Sequence, residues 1–284
     1  MKILFVSDFS LKHNGGGAQV SNDAIIKQGE RLGHKITLHN FDSPYTDFLS
    51  SYDLIISSNL EVTNNKSPDK LNLIINHENH VRLEHDSCLY LNQEVRKELF
   101  GSSKINFFLS DFHISFFKSM YGDIFPNVEI IPDPIDTDVF KIEKQKKEYD
   151  IVYCGFLHKL KGVDNLITFA QSNPKRVVDV FGWSSSDTES LFSSCENIKY
   201  HGKISHLQTA DVYKKSNTIF HDPIVNEPFC RMVAEAILCG VEKFQGNDSK
   251  IGSLQEYKRL GREKFSLNCA NATTMFWDKI KEKI

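Results

Sequence analysis

The architecture of the chain is clearest in residues 150–167, DIVYCGFLHKLKGVDNLI. The apolar run that opens this segment has the length and β-branched character of a buried strand, and the part from Val163 onward has helical spacing. A short loop containing glycines and lysines joins the two. A strand, a loop and a helix in this order form the repeating unit of a parallel sheet covered by helices. The segment therefore predicts an α/β fold.

The same alternation occurs on both sides of this segment. Strands are predicted at KILFVS (2–7), HKITLHN (34–40), DLIISS (53–58), LNLIINH (71–77), INFFLS (105–110), VEIIP (128–132), VVDVFG (177–182), NIKYHG (197–202) and TIFHDP (218–223). The segments between them have helical spacing. One example is residues 18–33, which end at Gly33 as helices commonly do. The pattern predicts parallel sheets with crossover helices.

The alternation is interrupted by the charged segment KIEKQKKEYD, residues 141–150. A chain of 284 residues is long enough for two domains with separate cores. We therefore expect one domain at residues 1–142, a second at 143–268 and an amphipathic C-terminal helix at 269–284. Two doubly wound domains would face a central cleft with the carboxyl ends of their strands, where such sheets bind ligands.

The composition argues against several classes of protein. The net charge of −3 and the pI near 6.4 do not favour stable binding of nucleic acid. No apolar run approaches the roughly 18 residues that cross a bilayer, and the first residues do not resemble a signal peptide. The six cysteines contain no C-x-x-C pair, which predicts reduced thiols. We expect a cytoplasmic protein without a transmembrane segment.

The strongest candidate site is NEPFCRMVAEAILCG, residues 226–240. Pro228 suits the first turn of a helix, which would place Glu227 at the helix start. The backbone amides that follow would then point out of the helix and form a seat for phosphate. These amides belong to Phe229, Cys230 and Arg231.

Glu235 stands eight residues after Glu227, about two turns into this helix, among apolar neighbours. We expect its carboxylate to be partly buried and to require a partner. Two interpretations stay open. The partner is either the pair of hydroxyl groups of a ribose or the guanidinium of Arg231, one helical turn away.

Two loops after predicted strands carry further candidates. Lys161, at a strand-to-helix turn, can reach a diphosphate and balance the charge on a leaving nucleotide, although a surface lysine without a role is the alternative. Gly15, Gly16 and Gly17 follow the first strand and offer backbone amides, with a flexible turn as the alternative. They form neither a G-x-G-x-x-G nor a Walker motif, so neither a dinucleotide cofactor nor ATP is indicated.

His77 ends the predicted strand at residues 71–77 and is expected at the cleft end of the first sheet. A structural histidine is the alternative. Residues 136–138, Asp-Thr-Asp, resemble a D-x-D metal site. They lie in the predicted crossing between domains rather than at an isolated strand end, so no metal site is expected.

Taken together and in this order, these segments resemble the family 4 glycosyltransferases, which are retaining enzymes with the GT-B fold. GGGAQ (15–19) is similar to the family's first glycine loop, and IIPDPIDTDVF (130–140) to its I-P-N-G-V-D-x-x-x-F domain crossing. GFLHKLKG (155–162) is similar to G-R-L-x-x-x-K-G. The most specific similarity is that of EPFCRMVAEAILCG (227–240) to E-P-F-G-x-x-x-x-E-A-x-x-x-G.

The resemblance implies two Rossmann-like domains, the first on the acceptor side and the second binding the donor. It implies an enzyme that transfers a hexosyl group from a UDP- or GDP-sugar, with retention and without a metal or other cofactor. The acceptor stays open between a glycan, a lipid-linked glycan, a protein and a modified base.

The resemblance also implies roles for single residues. Glu227 would lie against the donor sugar, Glu235 would hold the ribose, and Lys161 would bind the diphosphate. His77 would contact the sugar near the reacting carbon. The remaining donor-binding positions are Gly16, Gly17, Gly155, Pro228, Phe229, Cys230 and Arg231.

One departure from the family pattern keeps other functions open. Phe156 stands where the family usually has an arginine that assists Lys161, and a charge-assisted hydrogen bond of that kind is worth roughly 1.5–3 kcal/mol. His158, Lys159 or Arg231 could compensate. The alternatives are an isomerase or phosphorylase on the same scaffold and a noncatalytic nucleotide-sugar binding protein, which Phe156 favours most.

Overall fold

The computed structural model describes residues 1–12, 16–44, 51–87, 92–184 and 188–284. Within these residues the chain divides into two units. Unit 1 comprises Met1–Pro134 and Ala270–Ile284, and unit 2 comprises Ile135–Cys269. Each unit contains one parallel sheet, so the predicted α/β fold with two parallel sheets is confirmed.

Unit 1 is built on a sheet whose described strands are β1 (Lys2–Ser7), β2 (Lys35–His39), β3 (Leu54–Ser58), β4 (His80–Leu83), β5 (Ile105–Phe108) and β6 (Val128–Ile130). Its helices are α1 (Gly17–Arg31), α2 (Glu61–Lys66), α3 (Pro68–Ile75), α4 (Gln93–Ser102) and α5 (Asp111–Tyr121). The strand order is β2-β1-β3-β4-β5-β6. From β1 the chain adds the next strand, β2, on one side, and from β3 onward it adds strands on the other side. The strand order thus reverses between β1 and β3, and doubly wound sheets bind ligands at the carboxyl ends of the strands at such a point.

Unit 2 repeats this plan with β7 (Tyr149–Phe156), β8 (Val178–Trp183), β9 (Ile198–Gly202), β10 (Ser216–Phe220) and β11 (Lys243–Gln245). Its helices are α6 (Val163–Ser172), α7 (Thr188–Leu191), α8 (His206–Lys214), α9 (Arg231–Leu238), α10 (Gly252–Leu260) and the first part of α11 (Arg262–Lys283). The strand order is β11-β10-β7-β8-β9. Here the order reverses between β7 and β10, so the loops after these two strands are the expected ligand-binding loops.

The second part of α11 belongs to unit 1 and is part of its core. Phe276 and Ile280 have no exposed surface, and the ring of Phe276 lies 4.4 Å from that of Phe107. The indole N–H of Trp277 donates to the carbonyl of Ile25 at 2.9 Å. The apolar face of this helix therefore packs on the β-sheet and α1.

The predicted strand at residues 71–77 is wrong, because residues 68–75 form helix α3. Pro68 occupies the first turn, and Leu71 and Ile74, three residues apart, face the core on the same side of the helix. The strand at this place in the sheet is β4. This strand was not recognised in the sequence because it contains the polar residues His80 and Arg82, whereas a strand buried on both faces is normally a run of apolar residues.

Candidate active site

The loop after β7 contains a short 3-10 turn, Lys159–Lys161, that presents Lys161. The Nδ1 atom of His158 accepts a hydrogen bond from the amide of Leu160 at 3.2 Å and caps this turn. Gly162 then adopts φ +83°, and a Cβ atom there would lie 2.0 Å from the carbonyl oxygen of Asp222. Only glycine allows this close approach. The turn is thereby packed against the loop that follows β10.

Lys161 and Glu227 meet where these two loops touch. The Nζ atom of Lys161 donates to Oε1 of Glu227 at 2.6 Å. The backbone of Glu227 is fixed on both sides, since its amide donates to Lys250 at 2.8 Å and its carbonyl accepts from Gly252 at 2.9 Å. Glu227 is 8% exposed, whereas the side chain of Lys161 is 42% exposed. The carboxylate is held in place and the ammonium group is accessible to a ligand.

His221 stands behind this pair at the end of β10. It is 5% exposed, its Nε2 atom lies 3.7 Å from Oε1 of Glu227, and neither ring nitrogen has a hydrogen-bond partner within the described chain. Burial alone would raise the pKa of Glu227, but Lys161 and His221 hold that pKa at about 2. Burial lowers the pKa of His221, whereas Cys230 and Glu227 raise it to about 10. The carboxylate therefore stays ionised between two positive groups.

The side chains of His221, Glu227 and Cys230 could in principle hold a metal ion, since their ligand atoms lie within 4.8 Å of one another. The ammonium of Lys161 already occupies Oε1 of Glu227, however. A divalent cation would have to displace it. The arrangement fits an anion beside Lys161 better than a metal in the triad.

The helix of the candidate motif begins later than predicted. Cys230 is the N-cap, with φ −77° and ψ 101°, and α9 begins at Arg231 rather than near Pro228. Ahead of the helix, Glu227 forms an isolated bridge to Ile251, and the chain bends at Pro228 and Phe229. Phe229 and Cys230 are buried. The first-turn amides that point out of the helix therefore belong to residues 231–233 and not to 229–231.

Glu235 is buried as predicted, with 3% of its surface exposed. Its Oε1 atom lies 2.7 Å from Nε2 of His206, a partner that the sequence did not indicate. The predicted alternative, Arg231, lies 3.5 Å away. Because the side chain of His206 is 53% exposed, it could yield to the hydroxyl groups of a ligand. The role of Glu235 in ribose binding stays a prediction.

The position of the missing arginine is occupied by aromatic rings. The ring of Phe156 stacks on that of His158 at 5.6 Å and packs against Trp183 at 4.5 Å. Gly155, the predicted first glycine of this loop, lies just before it in β7 with φ +143°. Of the three residues expected to compensate, His158 caps the 3-10 turn and Arg231 faces Glu235. The arginine is therefore replaced by an apolar surface in this loop.

In unit 1, Gly16 is the N-cap of α1 and Gly17 its first residue, at the carboxyl end of β1. The hydroxyl of Ser21, one turn further, donates to Asp133 at 2.5 Å. Gly15 lies outside the described residues. The structure places Gly16 and Gly17 where the sequence predicted them, and their contact with a donor stays a prediction.

The predicted location of His77 is wrong. It lies before β4, at the amino end of the strands, and its ring nitrogens contact the carbonyls of Asn79 and Tyr52 at 3.0 and 3.2 Å. The histidine at the carboxyl end of β4 is His85, which the sequence analysis missed because it assigned the strand to the wrong residues. Its Nε2 atom lies 2.9 Å from the amide oxygen of Asn22 on α1.

Comparisons with known proteins agree with this geometry. Residues 134–243 match the family described as Glycosyl transferases group 1. No curated protein sequence matches the chain. HepE of Anabaena, solved with UDP and glucose, shares 14% identity over 99% of this chain and 98% of its own, with a TM-score of 0.62.

Two further solved structures have the same fold. Sucrose-phosphate synthase of Thermosynechococcus elongatus shares 13% identity over 98% of this chain and 96% of its own, with a TM-score of 0.65. WaaG, a glycosyltransferase involved in lipopolysaccharide biosynthesis, shares 14% identity over 96% of this chain and 90% of its own, with a TM-score of 0.64. The chain has the GT-B fold, and these matches support a glycosyltransferase.

The described part of the chain contains no helix with the length and hydropathy needed to cross a membrane. The described cysteines are buried and form no disulfide with one another, and Cys88 lies outside the described residues.

Proposed function

We propose that the chain is a family 4 retaining glycosyltransferase that uses a nucleoside-diphosphate sugar without a metal ion. The ion pair between Lys161 and Glu227 carries this proposal. It lies at the reversal point between β7 and β10, the position at which doubly wound sheets bind nucleotides.

The charges of this site suit a leaving diphosphate. As the bond between the anomeric carbon and the phosphate breaks, its electron pair moves to the diphosphate. Lys161, 42% exposed at its side chain, is positioned to stabilise that charge together with the first-turn amides of α9. The acceptor oxygen then bonds to the same face of the anomeric carbon, and its proton passes to the leaving phosphate.

Glu227 has a different role in this proposal. Its pKa of about 2 keeps it ionised at neutral pH, so it can accept hydrogen bonds from the hydroxyl groups of the donor sugar. His221, 3.7 Å behind this carboxylate, favours its ionised form. We expect Glu227 to bind the donor and to stabilise positive charge that develops on the sugar ring, and we expect Glu235 to bind the ribose.

UDP is the nucleotide that we favour, because HepE was solved with UDP and glucose. A GDP-sugar is the other donor that the sequence pattern admits. We also propose a cytoplasmic location, which the lack of disulfides among the described cysteines supports.

The proposal is tested by measuring nucleotide release from UDP-, GDP-, ADP- and dTDP-sugars. Each donor is assayed with and without EDTA. We expect turnover of a UDP- or GDP-sugar that EDTA does not change. Lys161→Ala and Glu227→Gln should each lower kcat about 10²–10³-fold, the effect typical of losing one charge-stabilising group.

The matched control is the exposed pair of Lys215 and Glu148 in the same unit, with an N–O distance of 3.2 Å. Lys215→Ala and Glu148→Gln should leave the rate unchanged. Nucleotide-sugar binding without turnover under any acceptor would instead favour a noncatalytic binding protein. Interconversion of the donor without nucleotide release would favour an isomerase.

A further inference from the structure

Unit 1 contains a groove that the proposed donor site does not use. It lies between the loop after β1, helix α1 and the end of β2, and its volume is about 580 Å³. This is within the range of about 300–1,000 Å³ that small-molecule sites occupy. We call it the α1 groove.

Two side-chain amides in the α1 groove have unused hydrogen-bonding capacity. Gln19 lines the groove, is only 7% exposed, and makes no side-chain hydrogen bond within the described part of the chain. The Oδ1 atom of Asn40, which also lines the groove, is buried and has no partner there either. Buried amides are nearly always hydrogen-bonded. Each amide can both donate and accept, as a ligand hydroxyl can.

The other walls of the groove define the chemistry of this ligand further. Ile26, Leu38 and Phe9 provide apolar surface beside the two amides. The combination suits a molecule with an apolar C–H face and hydroxyl groups at its edges, and it does not suit an acyl chain, which would leave the amides without partners.

The charged residues that line the α1 groove do not favour an anionic ligand. Lys12 is the only cationic residue among the groove's described lining residues, which also include Asp23 and Asp42. Asp23 forms an ion pair with Lys27 at 2.7 Å. A nucleotide or nucleic acid would therefore meet one cationic residue and two carboxylates here, which gives no net positive field.

We propose that the α1 groove binds a neutral saccharide unit, held by hydrogen bonds from its hydroxyl groups to Gln19 and Asn40. The identification of this saccharide as part of the acceptor rests on the proposed function. Binding of the saccharide to the groove does not depend on it.

Saturation-transfer NMR with methyl α-glucoside, methyl β-galactoside and maltose tests the proposal, using the full chain with saturating UDP to occupy the donor site. We expect at least one of these probes to bind and to shift the side-chain amide signal of Gln19. That signal is assigned by its loss in Gln19→Leu. The affinity for the probe should fall about tenfold in Gln19→Leu and in Asn40→Leu, as expected for losing one hydrogen bond.

Gln28→Leu is the matched control, since Gln28 is an amide on the same helix that does not line the groove. It should bind the saccharide as the wild-type chain does. Equal saccharide affinity in Gln19→Leu and wild type would overturn the proposal. So would a shift of the Gln19 amide by a short oligonucleotide but by none of the saccharides.

Calorimetric titration with UDP and with GDP separates the two proposals. A chain that binds neither nucleotide but still binds saccharide through Gln19 would refute the proposed function and keep the groove. A chain that binds UDP normally, with no saccharide response at Gln19, would refute the groove and keep the proposed function.

Discussion

Lys161 and Glu227 are 66 positions apart in the sequence, yet the Nζ atom of the first lies 2.6 Å from a carboxylate oxygen of the second. One residue belongs to the loop after β7 and the other to the loop after β10. These strands pair side by side, with Ile219 next to Val152. The pairing brings together a lysine and a carboxylate that local sequence does not connect.

The first prediction concerns acid stability. Glu227 has a pKa of about 2 in the folded chain against an ordinary value of 4.5, so its ionised form stabilises the fold above pH 4.5. This contribution is lost as the pH falls from 4.5 towards 2. Urea unfolding of wild type and Glu227→Gln should therefore show a difference in free energy that shrinks over that range.

The exposed Glu148 provides the comparison for this experiment. Its carboxylate pairs with Lys215 at 47% side-chain exposure, and such surface pairs contribute about 0–1 kcal/mol. Glu148→Gln should thus change the free energy of unfolding little. A pH-independent difference for Glu227→Gln would contradict the assignment of its low pKa.

The second prediction concerns His221 as a positioning residue. With its Nε2 atom 3.7 Å from Oε1 of Glu227, it helps to keep that carboxylate ionised. In His221→Gln we expect the pKa of Glu227 to rise from about 2 towards 4.5 and kcat/KM to fall about tenfold. Titration of the Glu227 carboxyl carbon by NMR measures the first effect without relying on activity.

If His221 only fills space, the Glu227 titration will be the same in wild type and variant, even where the variant is less stable. A His221→Gln variant that is less stable but whose Glu227 titrates as in the wild-type chain would therefore count against the positioning role.

The third prediction concerns the turn that presents Lys161. A Cβ atom at Gly162 would lie 2.0 Å from the carbonyl oxygen of Asp222, at φ +83°. Gly162→Ala must displace one of the two loops. We expect it to lower the free energy of unfolding by about 1–3 kcal/mol and to reduce UDP affinity, measured by urea titration and calorimetry.

Gly202→Ala separates backbone strain from the displacement of the loop. Gly202 has φ +77°, but nothing lies within 4 Å of a Cβ atom there. This variant should lose some stability and retain its affinity for UDP. Equal loss of UDP affinity in both variants would show that Lys161 does not depend on the contact of Gly162 with Asp222.

The fourth prediction concerns the C-terminal helix. Phe276 has no exposed surface and contacts Phe107. Phe276→Ala should lower the free energy of unfolding by about 3–5 kcal/mol, because it leaves a cavity in the core of unit 1. Ile284, 37% exposed at the chain end, is the control, and its replacement by Ala should cost less than about 0.5 kcal/mol. Similar small effects of both changes would contradict the packing of α11 on this sheet.

Sequence reasoning was most accurate where burial and periodicity agree. β1, β3 and β7 read as short apolar runs because both faces of a central parallel strand are covered. It failed at β4, where His80 and Arg82 are buried in polar interactions that no local pattern reveals. That failure misplaced His77 and concealed His85.

In the candidate site, too, local patterns were predicted and long-range contacts were not. Glu227, Glu235 and Lys161 were predicted as individual residues, since their motifs mark loops after strands. Their partners were not, because His221 and His206 come close only through the packing of elements that are distant in sequence.

The order of apolar runs, loops and helical segments by itself determined that this chain is an α/β protein with two parallel sheets, because burial and backbone geometry act over a few residues. Only the tertiary structure decided that α9 begins at Arg231, that Lys161 pairs with Glu227, and that Gln19 lies in a groove. These outcomes depend on which strands become neighbours and how closely their loops pack, and such contacts join residues that no short stretch of sequence contains.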